Sequence, residues 1–513
     1  MAQLLSVAVF RCAAPAGHPA VLRKPARAPA GGIIGRAGDT GARPVVPRAA
    51  GDYDIAMAGP AFVDMTLSGR NSLPRQRCAV YWPGRRRDVA LALERGPHAS
   101  YIARGLGRSY GDSMLNEHQG VIDMTGIDHL LAFDAEAGTV ECQAGVSLER
   151  LIEVFLPRGW FPAVTPGTKH VTVGGSIACD VHGKNHHRDG SFASCVERFT
   201  LQTATGEVLV CSRDDNADVF YATVGGMGLT GVILTARLRL RRVASAYVRV
   251  RYEQAANLEE LLTAFNDDDR HTYSVAWIDG LARGPSLGRG VLMRGEHATG
   301  DELPPARRDR PLDAPPRFKS NVPCGLPGFL LNRYTVAAFN ERFYRKHRSG
   351  ERVLDYDEYF YPLDSVGNWH RLYGRRGFYQ YQFVVPADDG GEAVRHILER
   401  LAASRHASFL AVLKRFGPES GGLLSFPMPG YTLAIDLPNR GEQVPAMMQQ
   451  LDDFVVERGG RVYLAKDACL KPEVFARMYP RLVAFNAVRR RLDPHGRLAS
   501  SQARRLGLVE TRA

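Results

Sequence analysis

The chain has 513 residues, 45% of them hydrophobic and 23% charged, with a formal net charge of +12. That length favours two domains and a core large enough to enclose a pocket. Residues 1–50 hold seven Lys and Arg against one acid, Asp39, so half of the net charge lies there. The mild excess elsewhere does not form a nucleic-acid stripe and points only weakly to anionic ligands or a membrane surface.

Residues 1–56, rich in Ala, Pro, Gly and Arg and without period 2 or 3.6, read as a disordered leader. Two origins are compatible with it: an organellar transit peptide, or an upstream start codon with Met57 or Met65 as the working start. No apolar run approaches the roughly 18 to 20 residues that span a bilayer, and LLSVAVF at Leu4–Phe10 has no basic segment before it. The eight cysteines show no CxxC and no paired spacing, so a reducing compartment is the default. The expected location is cytoplasmic or peripheral at the inner membrane, with periplasmic and organellar placements left open.

From about residue 68 to 243 short β-rich runs broken by glycines follow one another: ASYIARG, GVIDMTG, GTVECQAG, ERFTLQTATGEVLVC and TGVILTARLRLRRV. Helical signal is confined to pieces such as SLERLIEVFLPRG, where Leu148, Leu151, Ile152 and Phe155 share a face. Residues 244–460 add YVRVRYE, YQYQFVVP, FLAVLKRFG and YTLAIDLP, separated by helices such as GEAVRHILERLAAS. The pattern is α+β. LPPARRDRPLDAPPRFKS, Leu303–Ser320, holds too much Pro and charge for a packed element and reads as a mobile loop.

Three glycine-rich stretches could carry chemistry. The first is Ala103, Arg104, Gly105, Leu106, Gly107, Arg108, Ser109, Tyr110, Gly111 and Asp112, whose glycines let backbone amides approach a phosphate. A Rossmann reading needs a helix opening at the glycines, but the chain goes straight on to GVIDMTG. The second runs from Pro162 to Phe192, with Gly167, Gly174, Gly175, Gly183 and Gly190, as if the backbone wrapped a long flat ligand. Its HGKNHH segment is a poor zinc site, because adjacent His186 and His187 cannot easily ligate one ion and no Asp, Glu or Cys stands at helical spacing; no metal is expected. The histidines could equally cap turns and contact backbone. The third, DVFYATVGGMGLTGVIL, repeats the device before a strand.

Strand alternation adds a pocket wall. It puts Gln380 and Gln382 on one face of YQYQFVVP, Lys414 beside Phe416 in FLAVLKRFG, and Thr432 and Ala434 together in YTLAIDLP. Two amides aimed together suit hydroxyl recognition, although a solvated face would give the same pattern.

ARGLGRSYGD, TPGTKHVTVGGSIACDVHGKNHH and ATVGGMGLTG together resemble the FAD-contacting segments of the vanillyl-alcohol-oxidase-like flavoproteins with a PCMH-type FAD domain. In particular they are similar to the decaprenylphosphoryl-ribose 2′-oxidase family of arabinan biosynthesis. The resemblance covers residues 68–510 and includes YQYQFVVP, LKRFG, LLSFPMPG, VYLAKDACL and RLDPHGRLASSQARRLGL. It implies a FAD domain over 57–243, completed by 461–513, and a substrate domain over 244–460 built on an antiparallel sheet.

The resemblance further implies that the first stretch contacts FAD, together with Gly167, Thr172, Val173, Gly174, Gly175, Cys179, Asp180, Val181, His182, Gly183, Asn185, Ile233 and Tyr463. Substrate would meet Lys184, Gln380, Gln382, Lys414, Phe416, Thr432 and Ala434. Lys466 becomes the expected catalytic base, with a pKa lowered by desolvation, and His182 the next candidate. Two positions depart from the family pattern. Many relatives carry a flavin-linking His where this chain has Arg108, so the FAD should be non-covalent; close relatives carry Asn and Cys where it has Thr432 and Ala434, which leaves the exact sugar open.

The implied reaction oxidises a secondary hydroxyl of a polyprenylphosphate-linked ribose, with electrons passing to quinone or oxygen and an NAD(P)H-dependent keto-reductase partner completing an epimerisation toward arabinose. Peripheral membrane contact follows from such a substrate. A soluble alditol or aldonolactone oxidase is the rival enzyme and would lack the cationic pair Lys184 and Lys414. A non-catalytic flavin scaffold for a partner reductase is the rival of another class.

Overall fold

Runs of β-branched and aromatic residues punctuated by glycine build three large sheets and one two-stranded ribbon in the computed structural model, which describes residues 59–267, 270–315, 320–325, 327, 331–404, 408 and 410–509. The leader assigned to residues 1–56 lies outside the described residues. The compact unit that holds the sheets begins at Pro60. In the first sheet the strands run in the order Val63–Ser68, Arg75–Tyr81, Gly120–Asp123, Tyr101–Arg104, the last three parallel. No helix intervenes between Arg104 and Gly120, so the glycine stretch is a loop and not the opening of a Rossmann helix.

The second sheet is antiparallel, with Val232–Arg242 flanked by Thr139–Gln143 on one side and Val196–Gln202 on the other. Helix Leu148–Phe155 starts where the Ser147 side chain accepts from Arg150 N, and it buries Leu148, Leu151, Ile152 and Phe155, the face its spacing dictates.

Eight strands between Tyr247 and Val462 form the third sheet, every neighbouring pair antiparallel. Its register decides what faces the site. Gln380 pairs with Asp436, Gln382 with Ala434 and Lys414 with Thr432, so all six share one face. The other face is covered by helices: Tyr381 lies beside Asp452 of Gln443–Glu457, and Tyr431 lies against Gly390 of Ala387–Ala403. One apolar cluster runs through all three sheets, from Val80 and Phe199 to Phe383, Leu413 and Leu433.

The last segments return to the first sheet. Tyr101 N donates to Arg497 O at 2.7 Å and Ala499 N to Tyr101 O at 3.0 Å. The Arg505 guanidinium spans Asp112 and Asp467, at 2.7 and 2.9 Å.

The Pro-rich stretch from Leu303 differs from the loop expected of it. It makes a helical turn at Pro305–Arg308, buries Leu303 and is tied down by Ala246 N donating to Pro311 O and Tyr247 OH to Asp313 O. Proline favours the first turn of a helix, and neighbouring strand ends supply partners that a local reading does not see. Residues 316–319 of that stretch lie outside the described residues. Among the described residues no helix is long and apolar enough to cross a membrane.

Candidate active site

Backbone contacts draw the glycine stretches and the loop from Tyr463 to Asp467 into one place. Tyr110 N donates to Ala465 O at 2.9 Å, and a Cβ on Gly111 would lie 1.7 Å from Asp467 O, so only glycine fits there. Gly105 abuts the Thr172 side chain, which caps helix Val173–Ala178 by accepting from Gly175 N. Gly225 N and Met227 N of the third stretch donate to Ile177 O and Ala178 O. Tyr463 OH donates to Cys179 O at 2.9 Å.

His182 is the hub of the cluster. Its Nε2 lies 3.0 Å from Gln382 Nε2 and its Nδ1 3.3 Å from Lys414 Nζ. Phe416, Tyr463 and Phe426 enclose the ring at centroid separations of 4.7, 5.6 and 5.8 Å. Burial, and then the charge of Lys414, lower its pKa well below the usual imidazole value. The ring is therefore neutral at physiological pH. Gln382 also reaches Thr432 Oγ1 at 3.3 Å, while that hydroxyl donates to Phe383 O at 2.7 Å. Along Gly430–Pro438 every position is buried except Ala434, so the wall opens beside Gln382.

Lys466 is partly buried, its ammonium 3.8 Å from the centre of the Tyr110 ring. Burial lowers its pKa to about 7, with Asp436 opposing and Lys414 adding to the shift. Asp436 is itself fully buried and accepts from Gln380 Nε2 at 2.6 Å and Tyr373 OH at 3.1 Å. Neither Asp436 nor Tyr373 was singled out from the sequence. Alternation through Thr432 and Ala434 would have found Asp436, two residues further on the same face.

Lys184 donates to Tyr359 O and sits 3.8 Å over that residue's ring. Burial and Lys414 lower its pKa to about 7, and burial lowers that of Lys414 to about 8. Neither amine is paired with a carboxylate among the described residues. Lys184 and Lys414 are only partly exposed, and cations drawn out of water without a partner are costly, so the pocket is prepared for an anion.

The other residues named above divide by what their side chains do. Arg108 donates to His170 O at 3.0 Å, and burial with the nearby Arg70 lowers its pKa to about 10. Ser109 lies beside the Cys179 side chain. Ala103 and Arg104 end a strand, Leu106 is exposed, and Val173 and Ile233 are core residues. Val181 O accepts from Phe192 N.

Asp112, Asp180 and Asn185 do not turn their side chains to the cluster around His182. They bond Arg505, Ser420 with Ser425, and Ala163 O with Asp189, respectively. In HGKNHH, His186 Nδ1 accepts from Gly417 N and the His187 ring reaches His271 O, so these two make backbone contacts.

The residues present suit a dinucleotide lying along the loops. The Arg104 Nη1 and Ser176 Oγ atoms are buried without partners, and a Cβ on Gly167 would meet nothing within 4 Å. Unpaired donors beside glycine-lined space are what phosphate and ribose groups require.

Comparison with known proteins identifies that dinucleotide. The family described as FAD binding domain matches residues 79–212, and that described as D-arabinono-1,4-lactone oxidase matches residues 369–506. The chain is 41% identical to decaprenylphosphoryl-β-D-ribose oxidase of Mycolicibacterium smegmatis, over 82% of this chain and 92% of that protein. An uncharacterized protein in the mprA 5′ region of Streptomyces coelicolor is 39% identical over 71% of this chain and 100% of its own length. Human Δ(24)-sterol reductase is 26% identical over 36% of this chain and 34% of that protein. The chain thus belongs to the decaprenylphosphoryl-β-D-ribose oxidase family, within the vanillyl-alcohol-oxidase-like flavoproteins, and is a FAD-dependent oxidoreductase.

Proposed function

We propose that the chain oxidises the 2′ hydroxyl of a polyprenylphosphate-linked ribose to a ketone. The observation that carries this reading is the pairing of an amine of lowered pKa, Lys466, with two partly buried and acid-free cations, Lys184 and Lys414, in one pocket. The first suits a hydroxyl proton and the other two suit a phosphate. A free alditol or aldonolactone would leave the two cations without an anion. The identity to a protein named for decaprenylphosphoryl ribose supports the same substrate class.

Bound FAD supplies the acceptor for the electron pair that leaves the carbon. Arg104, Ser176 and the loops around Gly105, Gly167 and Gly175 would hold it. Lys466 Nζ takes the hydroxyl proton, which requires the amine to be neutral; burial provides for this near neutral pH. Gln380 and Gln382 orient the sugar hydroxyls from the sheet face, and His182 fixes the Gln382 amide. Phe416, Phe426 and Tyr463 exclude water around that ring. Ala434 shapes the sugar side of the pocket.

We assign residues 57–243 with 461–513 to the FAD-binding half and 244–460 to the substrate half. The sequence carries no second dinucleotide motif, so reoxidation is assigned to quinone or oxygen. An NAD(P)H-dependent keto-reductase would complete the epimerisation, and a lipid carrier places the enzyme at a membrane surface.

Anaerobic titration of the yellow holoenzyme with polyprenylphosphoryl ribose tests the reading. The flavin should bleach stoichiometrically with this substrate and not with a free alditol or aldonolactone. Bleaching by the alditol alone would assign the chain to the rival enzyme, and no bleaching by either would make it a scaffold.

A further inference from the structure

The proton transfer just described leaves one fully buried carboxylate of the pocket without a task. Asp436 lies on the site face of the third sheet, in register with Gln380. Two elements grip it: Gln380 on strand Phe378–Pro386, at 2.6 Å, and Tyr373 on the turn Trp369–Tyr373, at 3.1 Å. The Tyr373 ring is itself stacked on Phe378 at 4.2 Å, so neither donor swings freely. A buried carboxylate without a charged partner is expensive, and among the described residues no salt bridge offsets this one. The cation whose charge acts on it is Lys466, whose ammonium rests on the Tyr110 ring.

We propose that Asp436 is a positioning residue for proton transfer: held by Gln380 and Tyr373, its charge stabilises the ammonium that Lys466 becomes when the substrate hydroxyl yields its proton. This rests on the reading of Lys466 as the base. In the step, the substrate O–H bond breaks as an N–H bond forms on Lys466, and the C–H electron pair leaves with its hydrogen as hydride. The carbon becomes a carbonyl, and FAD, when bound, would accept that electron pair. Without a countercharge the product ammonium would stand in a dry pocket among other cations, and the transfer would be uphill.

Among the described residues, Asp436 is the carboxylate whose charge acts on Lys466. Lys414 and Arg70 lower the affinity of Lys466 for a proton, while Asp436 and, less, the Cys179 thiol raise it. Tyr110 and Tyr373 are both held neutral by burial, with Asp436 adding to each shift. His182 is neutral. Burial raises Asp436 to about 7, against the hydrogen bonds from Gln380 and Tyr373, and burial lowers Lys466 to about 7. Two opposed groups brought to the same range titrate as a coupled pair.

The test is the pH profile of flavin reduction by lipid-linked sugar, in single-turnover experiments on the holoenzyme. In Asp436→Asn the ascending limb, which reports Lys466 becoming neutral, should move to lower pH by about one unit or more, because removal of a negative neighbour disfavours the ammonium. Tyr373→Phe keeps the ring but removes a donor from Asp436; the carboxyl then stays neutral to higher pH, and the limb should move the same way by less. Asp436→Glu should keep the limb in place.

The same displacement should appear in an NMR titration of the Lys466 side chain in the resting holoenzyme, assigned by its absence in Lys466→Ala. A uniformly slower rate with the limb unmoved in both Asp436→Asn and Tyr373→Phe would make Asp436 structural and overturn the inference. Should Asp436→Asn fail to retain FAD, Tyr373→Phe decides alone. A Lys466→Ala enzyme that reduces at the wild-type rate would instead sink the base assignment, which is a separate failure.

Discussion

His182 Nε2 and the side-chain nitrogen of Gln382 stand 3.0 Å apart, joining residues separated by 200 positions in the chain. One belongs to a glycine-rich loop and the other to the sheet that faces it. Because burial and Lys414 keep the imidazole neutral, this contact is a hydrogen bond between neutral groups, shielded from solvent by Phe416 and Phe426. It aligns the sheet face with the loops, and the neighbouring cations inherit that alignment.

Lys184 and Lys414 are predicted to act on the phosphate of the substrate. Replacing either with Met keeps most of the side-chain length and removes the charge. KM for the lipid phosphate sugar should rise by about tenfold to a hundredfold, the scale of one charge-assisted hydrogen bond, while a phosphate-free analogue changes little. Steady-state kinetics on the two substrates would decide this. Equal losses on both would make the lysines structural, a role open to Lys184 through its contact with Tyr359.

Arg108 leads to a prediction about the cofactor. Its guanidinium is committed to His170 O, and guanidinium does not form the flavin bond made by the histidine that many relatives are expected to carry there. Acid precipitation of the yellow protein should therefore leave the FAD in the supernatant, measured by its absorbance. Flavin colour retained in the washed pellet would disprove non-covalent attachment.

Much of this arrangement was legible in the sequence because strand alternation is a short-range rule. Period 2 put Gln380 with Gln382 and Thr432 with Ala434, and the register confirms one common face. The amphipathic helix at Leu148 was readable for the same reason. What local pattern could not supply was pairing across the chain. The clasp of Arg505 on Asp112 and Asp467 ties Asp112 to a position 393 residues away, and nothing near Asp112 announces it. Asp180 likewise meets Ser420 and Ser425 only through tertiary folding. Asp436 was within reach of alternation, but its meaning depends on Tyr373 and Lys466, which come from other elements.

That clasp should govern stability. Asp467 is almost wholly buried and Asp112 nearly so, and Arg505 bonds both. Arg505→Met would leave two buried carboxylates without this cation, Asp467 keeping only neutral donors from Cys469 N, Leu470 N and Gln502, at a cost of about 3–5 kcal/mol. Denaturant unfolding of the FAD-loaded protein would measure it, and flavin should be released early because Gly111 packs on Asp467 O. A loss below about 1 kcal/mol would mean that the pair of acids simply protonates or finds water.

The chemical step gives the most direct prediction. If Lys466 takes the hydroxyl proton, Lys466→Ala should retain FAD and bind substrate, while flavin reduction slows by about a hundredfold or more, the scale of losing a positioned base. In the wild type the base must be neutral to act, so the rate should climb as pH rises through about 7, the value to which burial lowers this amine. The mutant should lose that ascending limb. Reoxidation by quinone or oxygen consumes no substrate proton, so its rate should be unchanged. Stopped-flow measurement of the two half-reactions separates the cases. Equal slowing of both would point to a displaced flavin, as loss of the ammonium from the Tyr110 ring could cause, and a reduction rate equal to wild type would remove Lys466 from the chemistry altogether.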